Sequence, residues 1–384
     1  MKIDSSNPLS LYLHYPFCSN KCAYCAFYSE VVKRDSPLIK HYEERLLQEL
    51  KEVVKQRSVP FETLYVGGGN PALASLEFLS EVLTTVTQLG TPQEVTIEVN
   101  SESLREEHTL LFDKGVNRLS VGLQSLNREH LKTLGRRVDL ESNYRAIELT
   151  NRWREAYNIE VNFDLITSIP NQTIEEAQDE ISQLVRLASP HHISLYNLTL
   201  EEGSELAQMR NLPFKEEQEE ATLLFALWEE LEALGYHQYE ISNFAKEERY
   251  QSLHNGRYWS LDDYLGLGSS AVSLISNVNY TNESNLTTYG NSEPFTTYLR
   301  EELTQLEMME SHLMMGLRTS KGIDKREWFK RYAVEFNALF EKPIKALQND
   351  ERHLIVDSHD YFSLTKEGFM LLDAIILYLA NFCH

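Results

Sequence analysis

Three of the chain's four cysteines, Cys18, Cys22 and Cys25, fall within eight residues in the pattern Cys-x3-Cys-x2-Cys, and the fourth, Cys383, is the penultimate residue. A disulfide-stapled protein would spread its cysteines, so three thiols packed this closely point to a bound metal in a reducing compartment. Structural zinc takes four protein ligands, usually as two separated pairs, and no second pair follows here. A four-iron cluster held by three cysteines leaves one iron open to a small molecule, which suits a reactive site. The cluster ranks first, a Cys3His zinc site completed by His14 second, and three unligated thiols last. Cys383 is expected to be incidental.

Other chemistry-bearing residues fall at the ends of apolar runs. Gly67-Gly68-Gly69-Asn70-Pro71 lacks both the Lys-Ser/Thr of a phosphate-binding loop and the spacing of the dinucleotide fingerprint. It is either a tight strand-to-helix turn or backbone left bare so that a ligand can come close. Glu98 is placed to accept from an ammonium or a ribose hydroxyl. Asn100, Gln124, Ser125, Asn162, Asp164, Tyr196 and Asn197 complete the set. Any one of them alone is a cap or turn residue; polar or glycine residues at six strand ends together point to one cavity.

The elements that must position them alternate. Strands are expected at Leu9–His14, Thr63–Val66, Glu94–Val99, Asn117–Gly122, Ile159–Leu165 and His192–Leu198. Helices are expected over 37–56, 75–89, 103–114, 127–134 with 141–155, and 173–188. Strands that alternate with helices predict a parallel sheet, and ligands bind at the carboxyl ends of such strands. Beyond residue 200 the rhythm stops. A helix over 214–235, a strand at Tyr236–Ser242, a loop holding His254–Trp259, a strand at Ala271–Tyr280 and a polar linker from Asn282 to Asn291 are expected. From about 296 the pattern is helical, with short strands at His353–Asp357 and Tyr361–Leu364 and a last helix over 366–381, a winged-helix-like arrangement. The domains expected are 1–200, a partial barrel, 201–290, an extension, and 291–384, the C-terminal module.

With 58 acidic against 36 basic side chains and a net charge of −22, the chain disfavours nucleic acid as a partner, because its summed field repels phosphate. No run of about 18 apolar residues occurs, and Met1 to Ser10 lacks the apolar stretch of a signal peptide. A cytoplasmic protein is expected.

The motifs resemble a known family. Cys-x3-Cys-x2-Cys after the first strand, followed by Gly-Gly-Gly, is similar to a radical S-adenosylmethionine (SAM) domain. Leu11–Cys18, Gly67–Pro71, Asn117–Gln124, Asp164-Leu165 and His254-Asn-Gly-Arg-Tyr-Trp259 narrow this to the oxygen-independent coproporphyrinogen III oxidase group, over nearly the whole chain. The resemblance implies a partial (β/α)6 barrel with Cys18, Cys22 and Cys25 on a [4Fe-4S] cluster. The open iron would chelate SAM, and one-electron reduction would release a 5′-deoxyadenosyl radical. It also implies SAM contacts from Tyr12, Tyr24, Gly68, Gly69, Asn70, Glu98, Gln124, Arg136 and Asp164. Threonine is usual in the family where Asn70 stands.

True oxidases of the group carry a long extension before the cluster and a further cysteine directly after it. Here 17 residues precede Cys18, and Ala26-Phe27 follow Cys25. Both features resemble the haem chaperone branch, whose members bind haem and pass it to haem proteins such as respiratory enzymes. That branch carries the motif seen here as His254, Asn255, Tyr258 and Trp259, and an imidazole is a competent haem ligand. Against this, Ser270-Ala271-Val272-Ser273 replaces the branch's usual Gly-Ala-His-Ser, with valine for histidine. The expected partners are haem, haem-acceptor proteins including membrane ones, a one-electron donor and a second copy of the chain. The oxidase and a cluster-bearing binding module without turnover stand as alternatives.

Overall fold

Six βα units build the first half of the computed structural model, which describes residues 7–209 and 212–383; the start of the polar segment Met1 to Ser10, residues 1–6, lies outside them. Strands β1 (Ser10–Tyr15), β2 (Thr63–Gly68), β3 (Glu94–Asn100), β4 (Arg118–Gln124), β5 (Glu160–Thr167) and β6 (His192–Asn197) pair side by side, all parallel. Five helices follow strands as expected: α1 (Pro37–Gln56), α2 (Leu76–Thr87), α3 (Leu140–Tyr157), α4 (Ile174–Ala188) and α5 (Glu217–Ala233). Their starts are written in the sequence. Ser36 caps α1 ahead of Pro37, and Thr173 with Glu176 forms a capping box on α4. The helix expected over 103–114 forms only as a short α-helix, Thr109–Phe112, after a 3-10 turn at Glu106–His108, and Gly115, with φ 107°, stops it.

The second half differs more from expectation. Tyr264–Leu267 (β9) runs parallel to β1 and makes a seventh parallel strand. No strand was expected over these four residues, which run into Gly268-Ser269-Ser270. Tyr236–Ser242 yields only β7 (His237–Gln238), with β8 (Asn243–Ala245) after it. Ala271–Tyr280 is not one strand but a hairpin, β10 (Val272–Ile275) and β11 (Val278–Asn282), bent at Ser276 with φ 60°. The expected linker holds a helix, Leu286–Asn291, capped by Asn285. A strand, β12 (Tyr298–Glu302), stands where helix was expected from 296. The resulting order is β12-β11-β10-β9-β1-β2-β3-β4-β5-β6-β8-β7, so residues 237–302 extend both edges of the barrel sheet.

Parallel strands covered on both faces are normally apolar throughout. These alternate. Leu11, Leu13, Leu64, Val66, Val95, Ile97, Val121, Phe163 and Ile193 join one core with the helices outside. The opposite face carries Tyr12, His14, Thr63, Tyr65, Glu98, Ser120, Asn162, Asp164 and Ser194, cross-linked by hydrogen bonds such as Asn162 Nδ2 to Ser120 Oγ at 2.8 Å and to Ser194 Oγ at 2.9 Å. Period-2 alternation in a parallel sheet thus marks a polar lumen rather than a packed barrel centre.

The C-terminal module comprises α7 (Gln305–Gly316), α8 (Lys325–Tyr332), the small sheet β13 (Ile323–Asp324), β14 (Ile355–Asp357) and β15 (Tyr361–Leu364), and α9 (Leu372–Ala380), in addition to short turns. Trp328 is its centre, ringed by Tyr332, Phe336 and Phe340. Cys383 is buried here, close enough to Glu310 and Tyr332 to interact electrostatically with both.

The module meets the barrel at Glu240, which bridges to Thr319 through the backbone. Glu240 is 0 % exposed, and its Oε2 accepts from Ser242 N at 3.2 Å. Burial pushes its carboxyl up to about 7. An acid that binds its proton more tightly folded than unfolded stabilises the fold below its unfolded pKa, and that stabilisation is lost as pH rises through the folded value. Stability should therefore fall by on the order of 3 kcal/mol between about pH 4.5 and pH 7, apart from other groups. Glu240→Gln should flatten that slope in urea melts across this range; an unchanged slope would show that Glu240 does not carry it.

Candidate functional site

The cysteine loop leaves the carboxyl end of β1 and is pinned from three sides. Cys18 pairs with Val31 in a two-residue ladder, Ala23 N donates to Leu134 O at 3.0 Å, and Leu206 N donates to Ala23 O at 2.8 Å. Cys25 N donates to Cys22 O at 3.2 Å, a turn that sets these two thiols on the same loop. All three thiols are free and half-buried. Burial and the neighbouring Cys25 and Cys22 push the Cys18 thiol up to about 12. Arg136 Nη1 lies 3.7 Å from Cys22 Sγ, a cation placed to steady thiolate charge. Tyr24, between two of the cysteines, packs on Leu134, Ile166 and Ile169 and covers the loop with an aromatic wall.

His14 is not a fourth ligand as placed. Its Nδ1 bonds the Tyr12 hydroxyl at 2.8 Å and its Nε2 the Tyr28 carbonyl at 3.0 Å. Cys383, in the C-terminal module, is not on this loop. Among the described residues no three such side chains stand close enough together to hold a metal as placed; as a donor set, three thiols on one loop without a fourth described donor beside them suit an iron–sulfur cluster with an open iron better than a closed zinc site.

The glycine run forms the adjoining floor. Gly69 N donates to Tyr15 O and Asn70 N to Phe17 O, both at 2.8 Å, so the run is zipped to the segment that carries Cys18. Gly68, with φ 113°, turns its N–H onto Glu98 Oε2 at 2.9 Å, and Tyr65 Oη donates to Glu98 Oε1 at 2.6 Å. Burial raises the Glu98 carboxyl above its ordinary value despite these donors. Asn70 is committed through its side chain: Nδ2 donates to Ser103 Oγ at 2.7 Å, and Oδ1 accepts from Asn100 N at 3.2 Å. Its backbone is engaged too, the N–H donating to Phe17 O and the carbonyl accepting from Leu73 N at 2.9 Å, so Asn70 shapes the floor rather than offering a group to a ligand.

Beyond Glu98, Gln124 sits at a bulge in β4 with φ 68°. Asp164 accepts from Asn162 Nδ2 at 2.7 Å and from Ser120 Oγ at 3.2 Å, and burial raises its carboxyl too. Arg136 bonds Gly122 O at 2.9 Å and Asn100 Oδ1 at 3.1 Å, and pairs with Glu102 at 3.5 Å. Tyr12 stands on the lumen wall beside Tyr65, ring centroids 6.2 Å apart. The strand-end residues of β1 to β5 thus face one lumen whose mouth holds the cysteines. Tyr65 was not singled out from the sequence; its place two residues before Gly67, on the inward phase of the alternation, was the available signal. Glu240 had none.

The segment His254–Trp259 lies elsewhere, and it is a helix, α6 (Leu253–Trp259), rather than a loop. Glu94 holds its start, accepting from Leu253 N at 2.8 Å and His254 N at 3.3 Å. His254 is 1 % exposed. Its Nδ1 bonds Thr63 Oγ1 at 2.7 Å, its Nε2 bonds the Tyr258 hydroxyl at 2.8 Å, and its ring stacks on Tyr65 at 4.9 Å. Burial lowers its pKa to about 3, so it stays neutral. Thr63 and Glu94 are the first residues of their strands, so this network plugs the lumen at the end opposite the cysteines. As placed, neither ring nitrogen is open to a metal. Asn255 and Trp259 are half-buried on the same helix, and Val272, where the related motif has histidine, is 39 % exposed on β10.

Comparison with known proteins supports the family and the fold. Residues 12–184 match the model of the radical SAM superfamily, and residues 303–371 match the HemN C-terminal domain. The chain is 30% identical over 374 residues to the heme chaperone HemW of Lactococcus lactis subsp. lactis (strain IL1403), covering 95% of each chain. It is 32% identical over 390 residues to the mitochondrial radical S-adenosyl methionine domain-containing protein 1 of Danio rerio, covering 96% of this chain and 86% of that one. Among solved structures, coproporphyrinogen III oxidase (HemN) from Escherichia coli superposes with a TM-score of 0.79 at 23% identity, over 97% of this chain and 90% of the other, a shared fold.

Proposed function

The chain belongs to the HemW family of radical SAM proteins, and on that footing we propose that it is a haem chaperone, binding haem and handing it to haem proteins. The family implies a [4Fe-4S] cluster and SAM; in this reading Cys18, Cys22 and Cys25 hold the cluster and the Gly68–Glu98–Arg136–Asp164 mouth holds SAM. The pair, when bound, supplies one-electron cleavage of SAM. The protein's own residues do the rest: Tyr24 keeps water from the loop, Arg136 balances thiolate charge, and Glu98 and Asp164 offer acceptors to ligand hydroxyls or an ammonium.

The observation that supports the chaperone reading over porphyrinogen oxidation is the match itself: a heme chaperone is 30% identical over 95% of both chains, whereas the likeness to the oxidase, at 23% identity, is one of fold. The no-turnover module shares this lumen and differs only in whether SAM is cleaved.

A paired assay tests the reading. Haem added to the anaerobically reconstituted protein should shift and sharpen the Soret band. Coproporphyrinogen III with SAM and reductant should yield no vinyl product. Robust protoporphyrinogen formation would reinstate the oxidase, and an unaltered Soret band would remove the chaperone. Transfer of the bound haem to an apo haem protein then reports on the acceptor.

A further inference from the structure

Glu98 is a carboxylate of the lumen mouth, and what aims it lies on a neighbouring strand. We propose that Tyr65 of β2 is a positioning residue for SAM, its hydroxyl orienting the Glu98 carboxylate before the ligand arrives; this rests on the assignment of SAM to the mouth and not on the haem reading.

Register brings the two side chains together. Tyr65 pairs with Thr96 of β3, and Glu98, two residues further along, stands on the same face. Tyr65 Oη donates to Glu98 Oε1 at 2.6 Å, while Gly68 N donates to Oε2 at 2.9 Å. Each carboxylate oxygen thus takes one protein donor and keeps a lone pair for a ligand. Both side chains are only half-buried, so the lumen leaves them open. The ring is fixed behind its hydroxyl. It stacks on His254 with centroids 4.9 Å apart and planes at 25°, and His254 is itself bonded at both nitrogens, to Thr63 and Tyr258. A Cβ on Gly67 would stand 2.8 Å from both Glu98 Oε2 and Tyr65 Cε1, so the glycine is what leaves room for the pair. Tyr65 therefore joins the two ends of the lumen, the α6 plug against its ring and the Glu98 carboxylate at its hydroxyl.

The surroundings of Glu98 make this donor matter. Besides Tyr65, the titratable groups that interact with it are Tyr12 of β1, Asp164 of β5, Tyr196 of β6 and Tyr258 of α6. Arg118 acts on Asp164 but is paired with Glu160 at 2.8 Å. Burial and the like charge of Asp164 push the Glu98 carboxyl up, and the Tyr65 hydroxyl and Gly68 N–H pull it back. Burial also raises the Tyr65 hydroxyl well above its ordinary value, so it stays a donor. A hydrogen bond to an ionised acceptor is roughly twice as strong as a neutral one. A ligand ammonium or ribose hydroxyl then meets an acceptor that is already ionised and aimed.

Equilibrium dialysis of SAM against the cluster-reconstituted full chain, from mildly acidic to mildly alkaline pH, tests this with Tyr65→Phe, which removes the hydroxyl and keeps the ring. The variant should bind SAM ~10-fold more weakly at the acid end, the scale of a lost hydrogen bond to a charged group. The deficit should shrink as pH rises, because a carboxyl that has lost a donor gives up its proton later. Taking the ratio to wild type at each pH cancels the titration of SAM itself. In a Glu98→Gln background the same substitution should cost less than ~2-fold, since no charge remains to be steadied. Equal affinity in Tyr65→Phe and the wild type, an equal deficit at every pH, or a deficit undiminished by Glu98→Gln would overturn the positioning role. SAM not retained by the wild type at any pH would instead overturn its assignment to this mouth.

Discussion

Cys22→Ala is expected to abolish the iron–sulfur centre. Wild-type protein reconstituted anaerobically should take up about four irons per chain and turn brown with thiolate-to-iron absorption, and the variant should do neither. The loop itself should survive, because the contact that shapes it runs from Cys25 N to the carbonyl of residue 22, which alanine keeps. What is lost is one of three thiolates, with no fourth donor among the described residues placed to stand in. His14 is bonded at both nitrogens, and Cys383 is buried in another module. Arg136, 3.7 Å from that sulfur, is left beside a neutral methyl group. Cys383→Ser should keep its iron. Iron and sulfide analysis with visible absorption decides the matter, and one zinc per chain without iron in the wild type would remove the cluster.

Gly69→Ala is expected to weaken SAM binding by about 10²-fold, the scale of a misplacement of about 1 Å in a site. A Cβ on residue 69 would stand 2.7 Å from Phe17 O and 2.9 Å from Tyr15 O. Those are backbone atoms, and they are the acceptors that zip the glycine run to the cysteine segment. They yield only if the run and Cys18 move apart, and that separates the floor, with Glu98 behind it, from the cluster loop. Gly256→Ala, where the added Cβ meets nothing within 4 Å, is the matched control on α6. Equilibrium dialysis with SAM reads the effect; an affinity equal to that of the control would show that the floor does not position SAM.

Much of the barrel could be read directly. The six βα strands and their capped helices depend on short-range signals, namely apolar alternation, Ser and Thr caps and glycine stops. Those signals sit within a few residues of what they specify. The same holds for the cysteine loop, whose ligands are neighbours in sequence. The seventh parallel strand, the β10–β11 hairpin and helix α6 were missed because their segments are short and rich in Gly, Ser or Asn, and tertiary pairing overrides weak local preference there.

Residue type and spacing along the chain were enough for three thiols on one loop, a glycine floor beside them and a carboxylate on the neighbouring strand. Folding alone could assign the roles of His254, Arg257 and Glu240. His254 meets Thr63 across 191 positions, and the pairing turns a plausible metal ligand into a buried, neutral wedge. Arg257 of α6 and Arg331 of α8 share Asp262. Glu240 owes its raised pKa to burial at the junction of barrel and C-terminal module, beside Thr319. Burial and hydrogen-bond partners are properties of distant segments brought together, and no window along the chain contains them.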